Sequence, residues 1–319
     1  MTRLFWRLVL LCGALLVAPA PIQAEAQDHP GKRIALSFDD VPRHAGAFFT
    51  PDERAARLIA GLAEGGVDQA GFFVTPGNLA TADGAGGEAR IAAYVAAGHV
   101  IANHSFTHRS LNDLSAAAYL ADLDRAEEWL KDRPGHRPWF RYPYLHEGQD
   151  ARRDEVRAGL RQRGLLNAYI TVDNWDWHID DLANAARRAG SPMDIAALRD
   201  FYVTTLVSAA DHADVVARAA TGRSPAQVIL LHETDLNAQF VADLARALRA
   251  AGWTIIGIDE AYADPIALRE PDSFYLGGGR VNALAAEAGL DRATLRHNST
   301  DGAWLDAQFA ARVLHEESE

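Results

Sequence analysis

Short apolar runs alternate with segments of helical period along most of this chain, and most of the runs stop at polar residues. The runs are Arg33–Phe38, Gln69–Thr75, Gly98–Ala102, Pro138–Tyr142, Leu165–Val172, Gln227–Leu231 and Trp253–Ile258. Each has the length of a strand covered on both faces. Between them, Pro51–Leu62 has helical spacing with Thr50 placed as its N-cap. Ser115–Lys131 carries Leu120, Leu123, Ala126 and Leu130 on one stripe, and Ala238–Ala250 reads as a further helix. Seven buried strands with intervening helices predict an α/β protein, either a parallel barrel or an open sheet.

The polar residues at the run ends choose between the two. Asp39, Asp40, His104, Arg141, Asp173 and His232 all sit at or just past the C-terminal ends of different runs. A barrel gathers such ends on one face, whereas an open sheet spreads them along a line, so the pattern favours the barrel. Residues 31–264 are expected to form this catalytic unit. A long insertion with helical stretches, 180–225, is expected to lie over its catalytic face. A C-terminal extension, 265–319, with a turn at Gly277-Gly-Gly and a helix over Val281–Glu287, is expected to pack on it. No repeat or linker calls for a second independent domain.

Composition narrows the setting. A hydrophobic fraction of 49% supports a packed core, and 31 Lys plus Arg against 43 Asp plus Glu leave a net charge of -12. That balance argues against nucleic acid and gives no long-range attraction to an acidic glycan or membrane. Residues 1–24 read as a secretory signal: Arg3 and Arg7 precede the apolar run Leu8–Ala18, followed by small residues suited to cleavage after Ala24 or Ala26. The expected protein is exported, periplasmic or secreted, without a stable membrane span. The single cysteine, Cys12, lies inside that signal, so metal binding must use histidines and carboxylates.

Two adjacent carboxylates after a buried run are costly unless a cation or hydrogen-bond donors absorb their charge; a solvated strand end is the alternative. His104 and His108, four apart, would share one side of a helical turn, and one carboxylate would complete a facial set of three ligands. A guanidinium at Arg141 would fix Asp39 and keep it ionised. His232 is placed to give a proton to a leaving nitrogen, supported by a neighbouring Asp.

Ser37-Phe-Asp-Asp40, His104-Ser-Phe-Thr-His108, Arg141-Tyr-Pro-Tyr144, Asp173-Asn-Trp-Asp-Trp177 and Leu230-Leu-His232 together resemble the five ordered motifs of the polysaccharide deacetylases, carbohydrate esterase family 4. The resemblance runs in order from about Arg33 to Ile258. It implies a distorted (β/α)7 barrel and a divalent metal held by Asp40, His104 and His108. It also implies Asp39 as base, His232 as acid, Arg141 as the residue orienting Asp39, and Asp176 as the carboxylate tuning His232, with Asp173 a close competitor. Tyr144 and Trp177 resemble groove-lining residues. Val41-Pro42 replaces the family's usual glycine, Glu233 follows His232, and Trp175 is an addition.

The reaction so implied is hydrolysis of an acetamide on an N-acetylated glycan, with the Tyr142 backbone N–H helping to stabilise the oxyanion. Trp139, Trp175, Trp177 and Tyr144 favour a sugar over other acyl substrates, unless they are core residues. Zinc suits two nitrogens and a carboxylate, with cobalt, nickel and manganese as alternatives. An O-acetyl esterase or small-molecule amidase using the same centre is the nearer rival, and an inactive glycan-binding protein the farther one. The oligomeric state is open.

Overall fold

The computed structural model describes residues 31–273 and 278–316. The expected signal at 1–24, Cys12 and Gly277 lie outside them. Among the described residues seven parallel strands form one curved sheet: β1 Lys32–Val41, β2 Gly71–Val74, β3 Val100–Asn103, β4 His136–Phe140, β5 Leu166–Asn167, β6 Ala226–His232 and β7 Trp253–Ile255. The order is β5-β4-β3-β2-β1-β6, with β7 joined to β1. β6 pairs along most of one edge of β1, from Arg33 to Asp39. The N-terminal residues Lys32–Ile34 of β1 also pair with β7, and its C-terminal half pairs with β2.

The fifth run is shorter than its apolar length predicts, because the chain changes partners within it. Ala168 N–H still donates to Phe140 of β4 at 2.8 Å, but the Thr171 and Val172 N–H groups donate to Val228 of β6 at 3.0 and 3.1 Å. This seam closes the sheet into a distorted barrel, and its closure interrupts the regular ladder. The tail covers the seam: Arg280 N–H donates to the Ile170 carbonyl at 2.7 Å. Gly279, with φ +68°, passes so close that a Cβ would stand 2.3 Å from the Ile170 oxygen, so no other residue fits there without movement.

Ten helices surround this sheet among the described residues: α1 Pro51–Glu64, α2 Gly87–Ala96, α3 Ala116–Leu130, α4 Asp150–Gln162, α5 Asp176–Ala189, α6 Ile195–Thr221, α7 Asp235–Ala250, α8 Ile258–Tyr262, α9 Gly279–Glu287 and α10 Gly302–Val313. Thr50 caps α1 as its sequence predicts, in a reciprocal box with Glu53. Ser115 caps α3, whose buried stripe is Ala116, Tyr119, Leu123, Ala126 and Leu130, with Leu120 only half-buried at its edge. α7 starts at Asp235, ahead of the expected Ala238, because Thr234 takes the N-cap and accepts from Asn237 N–H.

The insertion begins earlier than its expected boundary at residue 180, since α5 starts inside the fourth motif at Asp176. Its 27-residue helix α6 packs against α7, α9 and α10. Val281, Leu284, Leu305, Phe309 and Val313 of the tail join the same apolar core as β1 and β6. Among the described residues no helix is long and apolar enough to cross a membrane.

Candidate metal centre and active site

Consecutive residues of a strand point to opposite faces, so Asp39 and Asp40 should not share a cavity. They do, because the β1–β2 register shifts between Phe38 and Val41 and Asp40 adopts φ +67°. This bulge turns the second carboxylate to the side of the first. Asp39 stands opposite His232 in the β1–β6 register, which brings two residues 193 positions apart to one end of the sheet.

Asp40, His104 and His108 form a three-donor cluster whose ligand atoms all lie within 4.8 Å of one another. His108 Nε2 is 3.1 Å and His104 Nε2 3.7 Å from Asp40 Oδ1. Around a tetrahedral ion with bonds of about 2.0–2.1 Å, donor atoms stand roughly 3.3 Å apart, so the spacing fits a small divalent metal. The His104 tautomer also fits: its Nδ1 is 2.9 Å from the Arg141 carbonyl and donates to it, which leaves the Nε2 lone pair facing Asp40. Burial pushes the His104 ring down to about 4, so it is neutral and able to ligate at physiological pH. Burial alone would raise the Asp40 carboxyl, but the His108 hydrogen bond and charge, with His232 and Arg43, hold it well below the usual carboxylate range.

The helical turn expected for the two histidines is absent. Residues 104–110 form an irregular loop with Ser105 at φ +66° and His108 at φ +53°. Side chains shape it: Asn103 accepts from Ser105 N–H at 2.8 Å, Ser105 accepts from His108 N–H at 2.9 Å, and Asp122 of α3 accepts from the Phe106 and Thr107 N–H groups. These local bonds compete successfully with the helical pattern.

Arg141 is clamped on all sides. Nη1 donates to both Asp39 oxygens at 2.9 and 3.2 Å, Nη2 to Ser37 Oγ and the Tyr262 hydroxyl, and Nε to the Ala168 carbonyl. Its guanidinium also lies over the Phe73 ring at 4.1 Å. Across the cavity, Asp176 resolves the competition with Asp173. His232 Nδ1 is 2.7 Å from Asp176 Oδ1, while His232 N–H and Asn237 Nδ2 both donate to Asp176 Oδ2 at 2.8 Å. Burial pulls the His232 ring down, but the Asp176 charge and hydrogen bond raise it more, to about 8. Asp173, its carboxyl raised by burial, instead accepts from Gly278 N–H at 2.9 Å and tethers the tail.

One cavity of about 570 Å³ collects Asp39, Asp40, His104, His108, Asp173 and His232 together with Tyr144, Trp175 and Trp177. Tyr144 stands at its rim, 59% exposed and edge-on to His108 at 4.6 Å. Among the described residues the Tyr142 N–H has no acceptor, while the Tyr142 ring is buried in a small core with Tyr119 and Phe140. Trp139 is not at the cavity; it is a core residue packed edge-on against Tyr262 at 4.6 Å.

Three partners were missed by motif reading. Arg43 donates to Asp40 Oδ2 at 2.8 Å, leaving Oδ1 toward the histidines. Arg43 N–H is in turn held by the buried Glu233 carboxylate at 2.7 Å, which accounts for the unusual residue after His232. Tyr262 and Asn237 complete the surroundings of Arg141 and Asp176. Of these, only Arg43 and Asn237 stand within five residues of a motif, the proximity that could have marked them.

The polysaccharide deacetylase family model matches residues 26–163, a span that holds Asp39, Asp40, His104, His108 and Arg141. A chitin deacetylase of Colletotrichum lindemuthianum is 32% identical over 113 residues, covering 35% of this chain and 42% of its own length. The match thus spans less than half of that curated relative. Among solved structures, a family 4 carbohydrate esterase from Streptomyces lividans in complex with acetate is 20% identical, covering 72% of this chain and 95% of its own, with a TM-score of 0.45. The peptidoglycan deacetylase PdaC from Bacillus subtilis is 21% identical, with coverages of 73% and 91% and a TM-score of 0.45. A family 4 pseudoenzyme from Bacillus anthracis is 18% identical, with coverages of 72% and 65% and a TM-score of 0.47.

Proposed function

We propose, from the match of residues 26–163 to the polysaccharide deacetylase family model, that the chain removes N-acetyl groups from an N-acetylglucosamine-containing polysaccharide or oligosaccharide, releasing acetate. The observation that carries this reading is the placement of Asp39 and His232, register partners on β1 and β6, beside a three-donor metal cluster. Each has its own fixed support, Arg141 for Asp39 and Asp176 for His232.

Asp40, His104 and His108 would hold the ion, zinc fitting this donor set best. Bound there, a divalent metal supplies Lewis acidity to the acetamide oxygen and lowers the pKa of the attacking water. Asp39, aimed by Arg141, takes a proton from that water as the C–O bond forms. The Tyr142 N–H donates toward the oxyanion. His232, with Nδ1–H held by Asp176, carries its second proton on Nε2 and gives it to the amide nitrogen as the C–N bond breaks. Acetate and a free amino sugar are the products. Tyr144, Trp175 and Trp177 offer ring faces for packing the sugar. Export, with the stretch 1–24 removed, belongs to the same reading, and the N-terminal mass of the exported protein checks it.

The test is acetate release from N-acetylglucosamine oligomers after chelation and stepwise zinc restoration, with Asp39→Asn alongside. Release restored by metal and lowered about 10²–10⁴-fold in Asp39→Asn is expected. A folded, metal-binding protein that releases no acetate from these oligomers under any metal would overturn the N-deacetylase reading in favour of an O-acetyl esterase or small-molecule amidase.

A further inference from the structure

The cavity has a second wall, which the five motifs do not supply. α6 brings Ala209, His212 and Ala213 to it, and the tail brings Asn282 and the segment from Leu295 to Thr300. Its polar groups fasten the wall together. Asn282 Nδ2 donates to the Leu295 carbonyl at 2.7 Å, and His212 Nε2 lies 3.3 Å from the same oxygen. His297 accepts at Nδ1 from Ser299 N–H, and its Nε2 is 3.1 Å from Ser208 Oγ. Trp175 N–H donates to the Ser299 carbonyl at 2.9 Å, tying the wall to the motif that carries Asp176. The wall is therefore built before any ligand arrives.

Arg296 stands apart within it. The principal charged groups at the motif end are paired: Arg43 with Asp40, Asp39 with Arg141, His232 with Asp176. Arg296 lines the same cavity, yet among the described residues no carboxylate, carbonyl or ring takes its guanidinium. A cavity of about 570 Å³ has room for more than an acetamide. A solvent-facing guanidinium with free donors matches a planar anion, a carboxylate above all.

We propose that this wall is a second subsite in which Arg296 binds a carboxylate on the ring that carries, or neighbours, the reacting acetamide, so that the substrate is an acidic N-acetylated oligosaccharide. The inference rests on the deacetylase reading above and adds a substrate class to it. The net charge of -12 gives no long-range attraction to such a ligand. Arg296 acts at contact, and its effect falls on KM more than on kcat.

The experiment compares chitotetraose with a tetrasaccharide of alternating glucuronate and N-acetylglucosamine, on wild type, Arg296→Gln and Arg296→Lys, all zinc-loaded. Arg296→Gln is expected to lower the acidic-to-neutral ratio of kcat/KM about tenfold, through KM, with Arg296→Lys recovering part of it. A ratio unmoved by Arg296→Gln would overturn the subsite. Calorimetry on Asp39→Asn separates this proposal from the reaction itself. Binding of the acidic tetrasaccharide that is lost on adding Arg296→Gln supports the subsite even if wild type releases acetate from neither sugar, a result that would overturn the deacetylase reading alone. No binding of the acidic tetrasaccharide to Asp39→Asn would overturn the subsite.

Discussion

At the motif end of the cavity, the reactive side chains stand on strand ends or beside the closing seam; Asp39, His104 and Arg141 are buried and Asp40, His108 and His232 half-buried, with Asp39 and His232 held by the buried partners Arg141 and Asp176. On the opposite wall, the buried Ala209 and Ala213 and the half-buried His212 of α6 meet a tail of short turns, joined by single bonds such as Asn282 to Leu295. Sheet register fixes the first region, because moving one group would break a ladder shared by several strands. The second depends on contacts between segments far apart in sequence, each contributing little. The difference separates a site whose geometry is set by sheet register from a wall whose geometry is set by side-chain contacts between helix and tail.

Removing a support from the motif end should therefore cost most. Arg141→Met leaves the buried Asp39 carboxylate without its partner and should destabilise the protein by roughly 3–5 kcal/mol in urea unfolding. A loss below about 1 kcal/mol would show that Asp39 finds compensation elsewhere.

Next in size is the linkage through His232. In the metal-free protein its folded pKa of about 8 lies above the ordinary 6.5. A raised pKa means the contribution is fully present below pH 6.5 and is lost as pH rises through 8. Its size is roughly 2 kcal/mol. Asp176→Asn should flatten that part of the stability profile and move the alkaline fall of kcat to lower pH. A bound cation shifts both enzymes downward, so the diagnostic is the direction of the difference between them. An unchanged profile would assign the alkaline limb to another group.

The smallest effect belongs to the wall. Asn282→Ala removes one donor from the Leu295 carbonyl and should cost about 1 kcal/mol. Amide hydrogen exchange should quicken around residues 295–300 while β1 and β6 stay protected. Equal quickening in the strands would mean that the two regions unfold as one unit.

Much of the molecule was legible from local signals. Thr50 caps the helix its position announces, and each of the seven apolar runs overlaps a strand. The failures also have local causes. Four-residue spacing at His104 and His108 suggested a helical turn, but Asn103, Ser105 and Asp122 offered the backbone better partners. The run Leu165–Val172 looked continuous because apolar pattern carries no record of which neighbour each residue pairs with. Trp139 read like the other aromatics, and only packing against Tyr262 placed it in the core.

By itself the sequence determined the alternation of strands and helices, the residue types available for a metal and for proton transfer, and their order. Those properties follow from periodicity, capping and side-chain chemistry over a few neighbouring residues. Only the tertiary structure decided that a bulge brings Asp40 beside Asp39, that Asp176 and not Asp173 holds His232, and that α6 and the tail furnish a wall lined by Arg296. Each of these depends on register, closure of the sheet or contact between distant segments, set by the packing of the whole chain and not by local pattern.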